Sequence, residues 1–416
     1  MRILPHAKKI QTIIAGLVAA LSLILFLYCR QVTSETSAPS PVVLPNAEQL
    51  SFLKPSHHKI DQTVLSAIVP KITLGQAVIT ASSSKAFAYA HATVEADGKF
   101  FIGMADKDGN LFPPNELLIF NEKADGISSP IAVSLPNKGD IETMVYDQKN
   151  DTVYFLLSSN GGLWIYGLDP NTYTTRVIAS TTAIDAGRKP AIVTDGSYIY
   201  GITNTDQSTV WKVSIHGGAI ISSSVGHIPN GHSAAIGVYG SNSTGSGRTE
   251  LYFGGGMQNG FEKADASTLK SIATETIEPC SMSDDMPFVN DSGYVYIGCE
   301  TVPYGIRVRT SDMSYDRFAL PGASLGLFVF DNDLYNAAQD GAIDIFPGRD
   351  LTDLHRYKLS NANAFMDTKG LDPEVNEILY PAESSDLAGQ PAVGKFYITA
   401  WYGIPGLFQV STSTLK

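Results

Sequence analysis

The chain contains a G-x-S-x-G pattern, which is typical of a nucleophilic serine, from Gly322 to Gly326 with Ser324 at its centre. A nucleophile elbow needs a strand before the serine and a helix after it, because the sharp turn between them exposes the hydroxyl. The residues that follow, 327–330 (LFVF), are apolar and predict a strand instead. Ser324 is therefore not expected to act as a nucleophile, and the sequence predicts no catalytic residue.

A second short pattern, DKDGN from Asp106 to Asn110, resembles the start of a calcium loop. The sixth position of that loop requires glycine and the twelfth requires glutamate, whereas this chain has Leu111 and Leu117 there. A hydrated hairpin turn is the better interpretation of this segment. No cofactor is predicted from any local motif.

The remaining polar and aromatic residues that could bind a ligand are scattered, so only the fold can bring them together. His91 and His232 occupy nearly equivalent points of two repeats, and paired histidines near carboxylates could bind a divalent metal. A polar, water-filled channel mouth is the alternative. The full set of candidate ligand-binding residues is His91, Glu142, Lys189, His232, Asp285, Tyr304, Glu377, Trp401 and Tyr402.

The elements that would position these residues recur along the chain. From about residue 86 onward, seven stretches share one order: a strand of small apolar residues, an Asp/Asn/Gly turn, an aromatic strand, a polar loop and a third strand. Most stretches add a short outer strand, such as TTRVIAS or DRFALP. A period of about 40–50 residues built from four short strands is typical of one blade of a β-propeller.

Two of these stretches carry a family resemblance. YIYGITNTDQSTVWKVSI, from Tyr198, resembles the YVTN type of propeller repeat, and LWIYGLDPNT, from Leu163, is similar to the third-strand ending D-P-x-T of YVTN and quinoprotein-like repeats. The Trp-Asp dipeptide of WD40 repeats is absent, and the Gly-Gly signature of kelch repeats does not occur in register with the repeats. The resemblance covers nearly all of residues 86–416 and implies a seven-bladed, all-β propeller of four-stranded blades, without indicating a particular member.

In propellers, the loops that lead into each inner strand surround the axis at one face, together with the loops between the second and third strands. The candidate residues above are expected at that rim. Residues 66–82 include KITLGQAVITA, from Lys71, which could supply the outer strand that the last blade lacks. The alternative is a disordered segment that approaches the first blade.

Composition limits the partners. The net charge is −12 and the isoelectric point is about 5.1. An acidic chain lacks the basic surface that nucleic acids require, so no nucleic-acid partner is expected. Of three cysteines, Cys280 and Cys299 lie in the repeats. They are expected to form a disulfide in an oxidising compartment, with two buried thiols as the alternative.

The N-terminus predicts a membrane segment. Arg2, Lys8 and Lys9 precede a nearly uninterrupted apolar run over residues 10–29. About 20 apolar residues cross a bilayer, and basic residues before them favour a cytoplasmic N-terminus (residues 1–9) with the rest outside. A signal peptide cleaved after SETSA (ending at Ala38) and a lipoprotein site at Cys29 are the alternatives. Residues 30–65 are Ser- and Pro-rich early on and predict a linker before the propeller at 66–416.

The sequence therefore indicates a membrane-tethered, extracytoplasmic propeller that binds an unknown protein or small polar ligand. A propeller enzyme, either a lyase or hydrolase or a quinoprotein-like oxidoreductase, with its site at the channel mouth is the alternative, because propellers host both kinds of function.

Overall fold

The computed structural model describes only part of the chain. The described residues are 71–75, 77–82, 90–104, 116–123, 126–127, 129–159, 162–184, 190–203, 205, 207–229, 234–239, 248–255, 260–277, 280, 289–291, 293–299, 302–322, 324–330, 333–338, 342–359, 375–379, 395–400 and 406–411. The chain divides into two units, Met1–Leu50 and Ser51–Lys416, and all described residues belong to the second. The predicted membrane segment and linker lie outside the described residues.

The described strands form seven sheets, numbered by the chain position of their first strand. Two N-terminal strands, β1 (Lys71–Gly75) and β2 (Ala77–Ser82), join the last two sheets. Sheet 1 contains β3 (Ala90–Ala96), β4 (Lys99–Met104), β5 (Glu116–Lys123), β6 (Gly126–Ile127) and β7 (Ile131–Ser134). Sheet 2 contains β8 (Asp140–Asp147), β9 (Thr152–Ser159), β10 (Gly162–Leu168) and β11 (Thr175–Thr181). Sheet 3 contains β12 (Ala191–Thr194), β13 (Tyr198–Ile202), β14 (Gln207–Ser214) and β15 (Ile221–Pro229).

The second half of the chain repeats this arrangement. Sheet 4 contains β16 (Ala234–Tyr239), β17 (Glu250–Gly255), β18 (Gly260–Asp265) and β19 (Lys270–Thr276). Sheet 5 contains β20 (Val289–Asp291), β21 (Tyr294–Gly298), β22 (Tyr304–Arg309) and β23 (Tyr315–Ala319). Sheet 6 contains β24 (Ser324–Phe330), β25 (Asp333–Ala338), β26 (Ile343–Phe346), a 3-10 turn (Pro347–Arg349) and β27 (His355–Leu359). Sheet 7 contains β28 (Val375–Leu379), β29 (Lys395–Ala400) and β30 (Gly406–Ser411).

The strand pairs among β3 to β30 are antiparallel, and in sheet 1 the last strand, β7, pairs with β5 and not with β6. Five of the seven sheets have four strands, which confirms the predicted all-β class with four-stranded sheets. The one parallel pair is that of β1 with β27, where β1 is the fifth strand of sheet 6. Its neighbour β2 pairs antiparallel with β30 in sheet 7. No helix among the described residues has the length and apolar character needed to cross a membrane.

The first strands of the sheets contact one another in a closed order. Each of β3, β8, β12, β16, β20 and β24 contacts the first strand of the next sheet, and β28 contacts β3. Sheets 1 and 7 are thus neighbours although they lie at opposite ends of the sequence. The beginnings of these first strands are where the sequence places most of the candidate ligand-binding residues.

The core lies between neighbouring sheets. Separate clusters of buried side chains join sheets 1 and 2, 2 and 3, 3 and 4, 4 and 5, and 5 and 6. Sheets 2 to 5 each contribute to two of these clusters and so have apolar residues on both faces, as expected when alternate side chains of a strand pack against different neighbours. Aromatic residues supply much of this burial, including Tyr154, Trp211, Phe253 and Phe318, each fully buried.

Two buried lysines link adjacent sheets. Lys212, on the third strand of sheet 3, donates hydrogen bonds to the carbonyl oxygens of Ala266 and Ser267 in the last turn of sheet 4. Lys263 occupies the same position in sheet 4 and donates to the Thr310 carbonyl of sheet 5 at 2.8 Å. Burial lowers the pKa of Lys212, although Asp265 and Asp195 oppose the shift. Both ammonium groups replace lost water with carbonyl ligands, so they stabilise the packing of one sheet on the next.

The D-x-x-T turns between third and fourth strands have a structural role. The Asp169 carboxylate accepts the backbone N–H groups of Asn171 and Thr172 at 2.8 and 3.0 Å. In sheet 4, Asp265 accepts the corresponding N–H groups of Ser267 and Thr268, each at 2.9 Å. These hydrogen bonds fix the turn conformation, because an aspartate side chain can satisfy amide groups that have no strand partner.

A further link joins the first turns of sheets 2 and 3. The side-chain Nδ2 of Asn150 donates to Oδ2 of Asp147 at 2.7 Å and to the Gly196 carbonyl at 2.9 Å. The Asn150 amide therefore bonds within its own turn and across to the next sheet.

Candidate functional site

The structure describes four of the nine candidate ligand-binding residues. His91 lies on β3, Glu142 on β8, Tyr304 at the start of β22 and Glu377 on β28. Because β28, β3 and β8 contact in that order, Glu377, His91 and Glu142 lie on three consecutive first strands. The other five candidates, Lys189, His232, Asp285, Trp401 and Tyr402, lie outside the described residues.

A β-bulge recurs near the start of these first strands. In β3 the register steps from Ala90↔Met104 to Ala92↔Gly103, which leaves His91 as the extra residue. Matching steps leave Glu142 extra in β8, Leu325 in β24 and Asn376 in β28. A bulge bends the strand and interrupts its ladder, and such bulges are frequent beside binding sites. The four strands β24, β28, β3 and β8 are consecutive in the order of contacts, so the bulges form one continuous arc.

The arc contains residues that the sequence prediction missed. Asn376, and not its neighbour Glu377, occupies the bulge of β28, and Leu325 occupies that of β24. Aligning the beginnings of the first strands (AHAT, IETM, SLGL and VNEI) would have placed these residues in one column. No residue-type motif marks them, because a bulge is a property of pairing with the second strand.

Glu142 is the acidic residue of the arc whose side chain the structure describes, and it is only 6% exposed. It lies between two buried residues, Ile141 and Thr143. The Ile141 side chain packs directly against the backbone of Gly103 in β4. A Cβ at position 103 would lie 2.4 Å from Ile141 Cγ2, so only glycine leaves room for this contact. Gly103 thus permits the close approach of sheet 1 to the strand that positions Glu142.

Tyr304 is part of the core rather than of an open surface. It is 4% exposed and belongs to the cluster between sheets 4 and 5. The guanidinium of Arg317 lies 5.2 Å from the centroid of its ring, which is within cation–π range. Burial raises the pKa of Tyr304 to about 12, while Arg317 acts in the opposite direction.

The Cys280–Cys299 disulfide lies next to the arc. Its Cα atoms are 5.1 Å apart and both cysteines are buried, so the structure contains the predicted bond. The Cys299 carbonyl accepts the backbone N–H of Ser324 at 2.9 Å. Ser324 precedes the bulged Leu325, is fully buried and begins β24, so the strand predicted over residues 327–330 is present. The disulfide therefore anchors one end of the arc.

Across the described part of the chain, no group of three or more His, Cys, Asp or Glu side chains is arranged to hold a metal ion. The metal hypothesis involved His91 and His232, and His232 lies outside the described residues. It remains a prediction.

Comparison with known proteins supports the fold. No family model matches the chain, and no curated protein matches it in sequence. Solved structures do match. The Saccharomyces cerevisiae Sqt1 structure has a TM-score of 0.55 at 10% identity, covering 82% of this chain and 99% of that chain. The WD40 domain of Neurospora crassa Pan2 has a TM-score of 0.54 at 8% identity, covering 82% and 98%. A structure of YCF48 bound to D1 peptide has a TM-score of 0.53 at 10% identity, covering 83% and 97%. The chain therefore has the fold of WD40-like β-propeller domains, in agreement with the resemblance to propeller repeats.

Proposed function

We propose that the seven sheets are the blades of one seven-bladed propeller and that it serves as a binding module for a protein or polypeptide segment. The closed order of contacts among the first strands supports a ring, because β28 of the last sheet returns to β3 of the first. The pairing of β2 with β30 supplies the outer strand of the last blade. In such a ring, the beginnings of the first strands line the central opening at one face.

The binding surface in this proposal is the arc of bulges. The observation that carries it is the recurrence of a bulge at the same place in four consecutive first strands, with His91, Glu142, Asn376 and Leu325 as the extra residues. A bulge costs ladder hydrogen bonds, and its repetition at one face favours a role in recognition. Three polar residues beside an apolar one suit a polypeptide partner, which offers both backbone polar groups and side chains. One fold neighbour, YCF48, is described as bound to a peptide.

Photo-crosslinking tests the location of the site. A benzoyl-phenylalanine introduced at His91 in the full chain, in its native membranes, is expected to yield an adduct of discrete mass after irradiation. The same group at Thr268, in a turn between third and fourth strands, is expected to yield none. Glu142→Gln should reduce the adduct at position 91, and Glu275→Gln on the outer strand β19 should leave it unchanged. Equal adducts at positions 91 and 268, or none at either, would contradict a binding site on the arc.

The membrane arrangement is also part of the proposal. Residues 10–29 act as the anchor, and the propeller lies on the extracytoplasmic side. The buried disulfide supports this side of the membrane, because disulfides persist mainly in oxidising compartments. A chain beginning at Leu65 is expected to remain in solution, whereas the full chain should sediment with membranes after a high-salt wash. Retention of the shortened chain on membranes would contradict a single N-terminal anchor.

A further inference from the structure

A short loop leads into the first strand of sheet 2 and lies beside the arc. Residues 135–139 (LPNKG), here called the entry loop, connect β7 to β8. Gly139 is followed directly by the start of β8, and the bulge residue Glu142 comes three positions after it. The entry loop therefore lies at the face where the first strands begin, next to the part of the arc that contains Glu142.

Both ends of the entry loop are fixed by packing. Leu135 is 3% exposed and belongs to the buried cluster between sheets 1 and 2. At the other end, a Cβ at position 139 would lie 2.2 Å from the carbonyl oxygen of Ser158 on β9, so only glycine fits there. The close contact of Gly139 with β9 sets the point at which the loop meets β8.

The middle of the entry loop is held by a buried tyrosine. Tyr166, on β10, is fully buried and stacks on Phe155 with the ring centroids 5.2 Å apart. Its hydroxyl donates a hydrogen bond to Oδ1 of Asn137. The conformation of the loop is therefore set before any partner arrives, and a partner that binds there does not have to order the loop backbone.

Lys138 is the charged residue that the entry loop presents to solvent. Its side chain is exposed, and it forms no hydrogen bond or ion pair with any residue that the structure describes. An ammonium group offers three donors and no acceptor, so the group that complements it is an anion. A polypeptide supplies such a group as the carboxylate of an aspartate or glutamate side chain.

We propose that Lys138 is a specificity-determining residue of the binding surface on the arc, and that it pairs with an Asp or Glu side chain of the partner polypeptide. The whole chain has a net charge of −12, so an acidic group is on average repelled from it. A cation fixed beside the arc gives that group a favourable place to dock, which sets the orientation of the partner and its rate of association. The inference rests on the proposed binding at the arc, and the experiments separate the two.

Charge variants of Lys138 test the pairing. The full chain in its native membranes carries benzoyl-phenylalanine at His91, and the yield of the adduct formed on irradiation reports the occupancy of the arc. Lys138→Glu is expected to lower that yield about fivefold, because it replaces an attraction by a repulsion, whereas Lys138→Arg keeps the charge and should stay near wild type. The control is Lys149→Glu, which changes an exposed lysine at the opposite end of β8 and should have no effect.

The outcomes distinguish this inference from the binding surface itself. An unchanged yield in Lys138→Glu, or an equal loss in Lys149→Glu, overturns the role of Lys138 while the adduct still supports binding at the arc. If the parent chain gives no adduct at position 91, the binding surface is wrong and the role of Lys138 is overturned with it.

A second measurement identifies the chemical group of the partner. A carbodiimide joins an ammonium group to a carboxylate when the two are in direct contact, and it leaves an amide bond without a spacer. The photo-adduct is treated with this reagent, digested and analysed by mass spectrometry. An amide between Lys138 Nζ and an aspartate or glutamate of the trapped polypeptide is expected, and none from Lys149. An adduct in which Lys138 is unmodified, or is joined only to carboxylates of its own chain, overturns the acidic partner.

Discussion

Removing the Cys280–Cys299 disulfide should lower the free energy of unfolding by about 3 kcal/mol. The two cysteines are 19 residues apart, and the chain-entropy relation gives about 3 kcal/mol for closing a loop of that length. Cys280→Ala/Cys299→Ala is the test variant, and Cys29→Ala is the control because it leaves the bond intact. Urea unfolding measures the free energy of unfolding of the test variant and of the control. The bond should also hold the start of β24 in place, since the Cys299 carbonyl bonds to Ser324.

The redox state is measured on the same protein. Thiol labelling of the denatured, unreduced full chain should modify one of the three cysteines, and labelling after reduction should modify all three. Three labelled thiols without reduction, in protein taken from its native compartment, would refute the disulfide and remove its support for an extracytoplasmic location. A double variant as stable as wild type would show that the bond forms without constraining the unfolded chain.

Three further outcomes are expected, each followed by urea unfolding. Gly103→Ala should destabilise the protein by about 1–3 kcal/mol, because the new Cβ would overlap the first strand of sheet 2; unchanged stability would contradict that close approach. Lys263→Met should cost about 3 kcal/mol, because the buried Glu250 carboxylate loses the ammonium group 3.1 Å away and keeps only Arg248 and the Tyr252 hydroxyl. The exposed Lys270→Met should change stability by less than about 0.5 kcal/mol, and equal effects would argue against the buried pair. Hydrogen bonds, chiefly from the Ser267 hydroxyl, lower the pKa of Asp265 in the folded protein. The ionised carboxylate therefore stabilises the fold fully above the ordinary carboxyl pKa of 3.8, and this stabilisation is lost as the pH falls through the lower pKa of the folded state. Asp265→Asn should therefore flatten the acid end of the stability–pH curve, and an unchanged curve would exclude this role.

Local patterning was enough to predict most of the fold. Alternation of apolar residues and the Asp/Asn/Gly turns predicted strands such as β9 and β13, because these signals depend on neighbouring residues alone. The turn at Asp169 follows from its own sequence in the same way, since its partners are two and three residues away. The disulfide was also predictable, because both cysteines flank one hairpin.

The features that sequence could not provide depend on distant pairing. Nothing in KITLG indicates that β1 lies parallel to β27, about 280 residues later, as a fifth strand of a neighbouring sheet. The bulges at Asn376 and Leu325 result from register against a second strand, which leaves no mark on residue type. The burial of Tyr304 depends on packing between sheets 4 and 5, which its position along the chain does not indicate.

The link made by Asn150 bears on glycosylation. Asn150, Asp151 and Thr152 form an N-x-T acceptor sequence, which an extracytoplasmic chain in a glycosylating cell would present to the oligosaccharide transferase. Attachment of a glycan replaces one of the two hydrogens on Nδ2, and both of these hydrogens serve bonds, one to Asp147 and one to the Gly196 carbonyl. A sugar at this position must therefore replace either the side-chain bond to Asp147 or the link between sheets 2 and 3. The turn keeps its backbone bonds to Asp147 in either case, so a glycan at this asparagine is expected to weaken the contact between the two sheets without unfolding the turn.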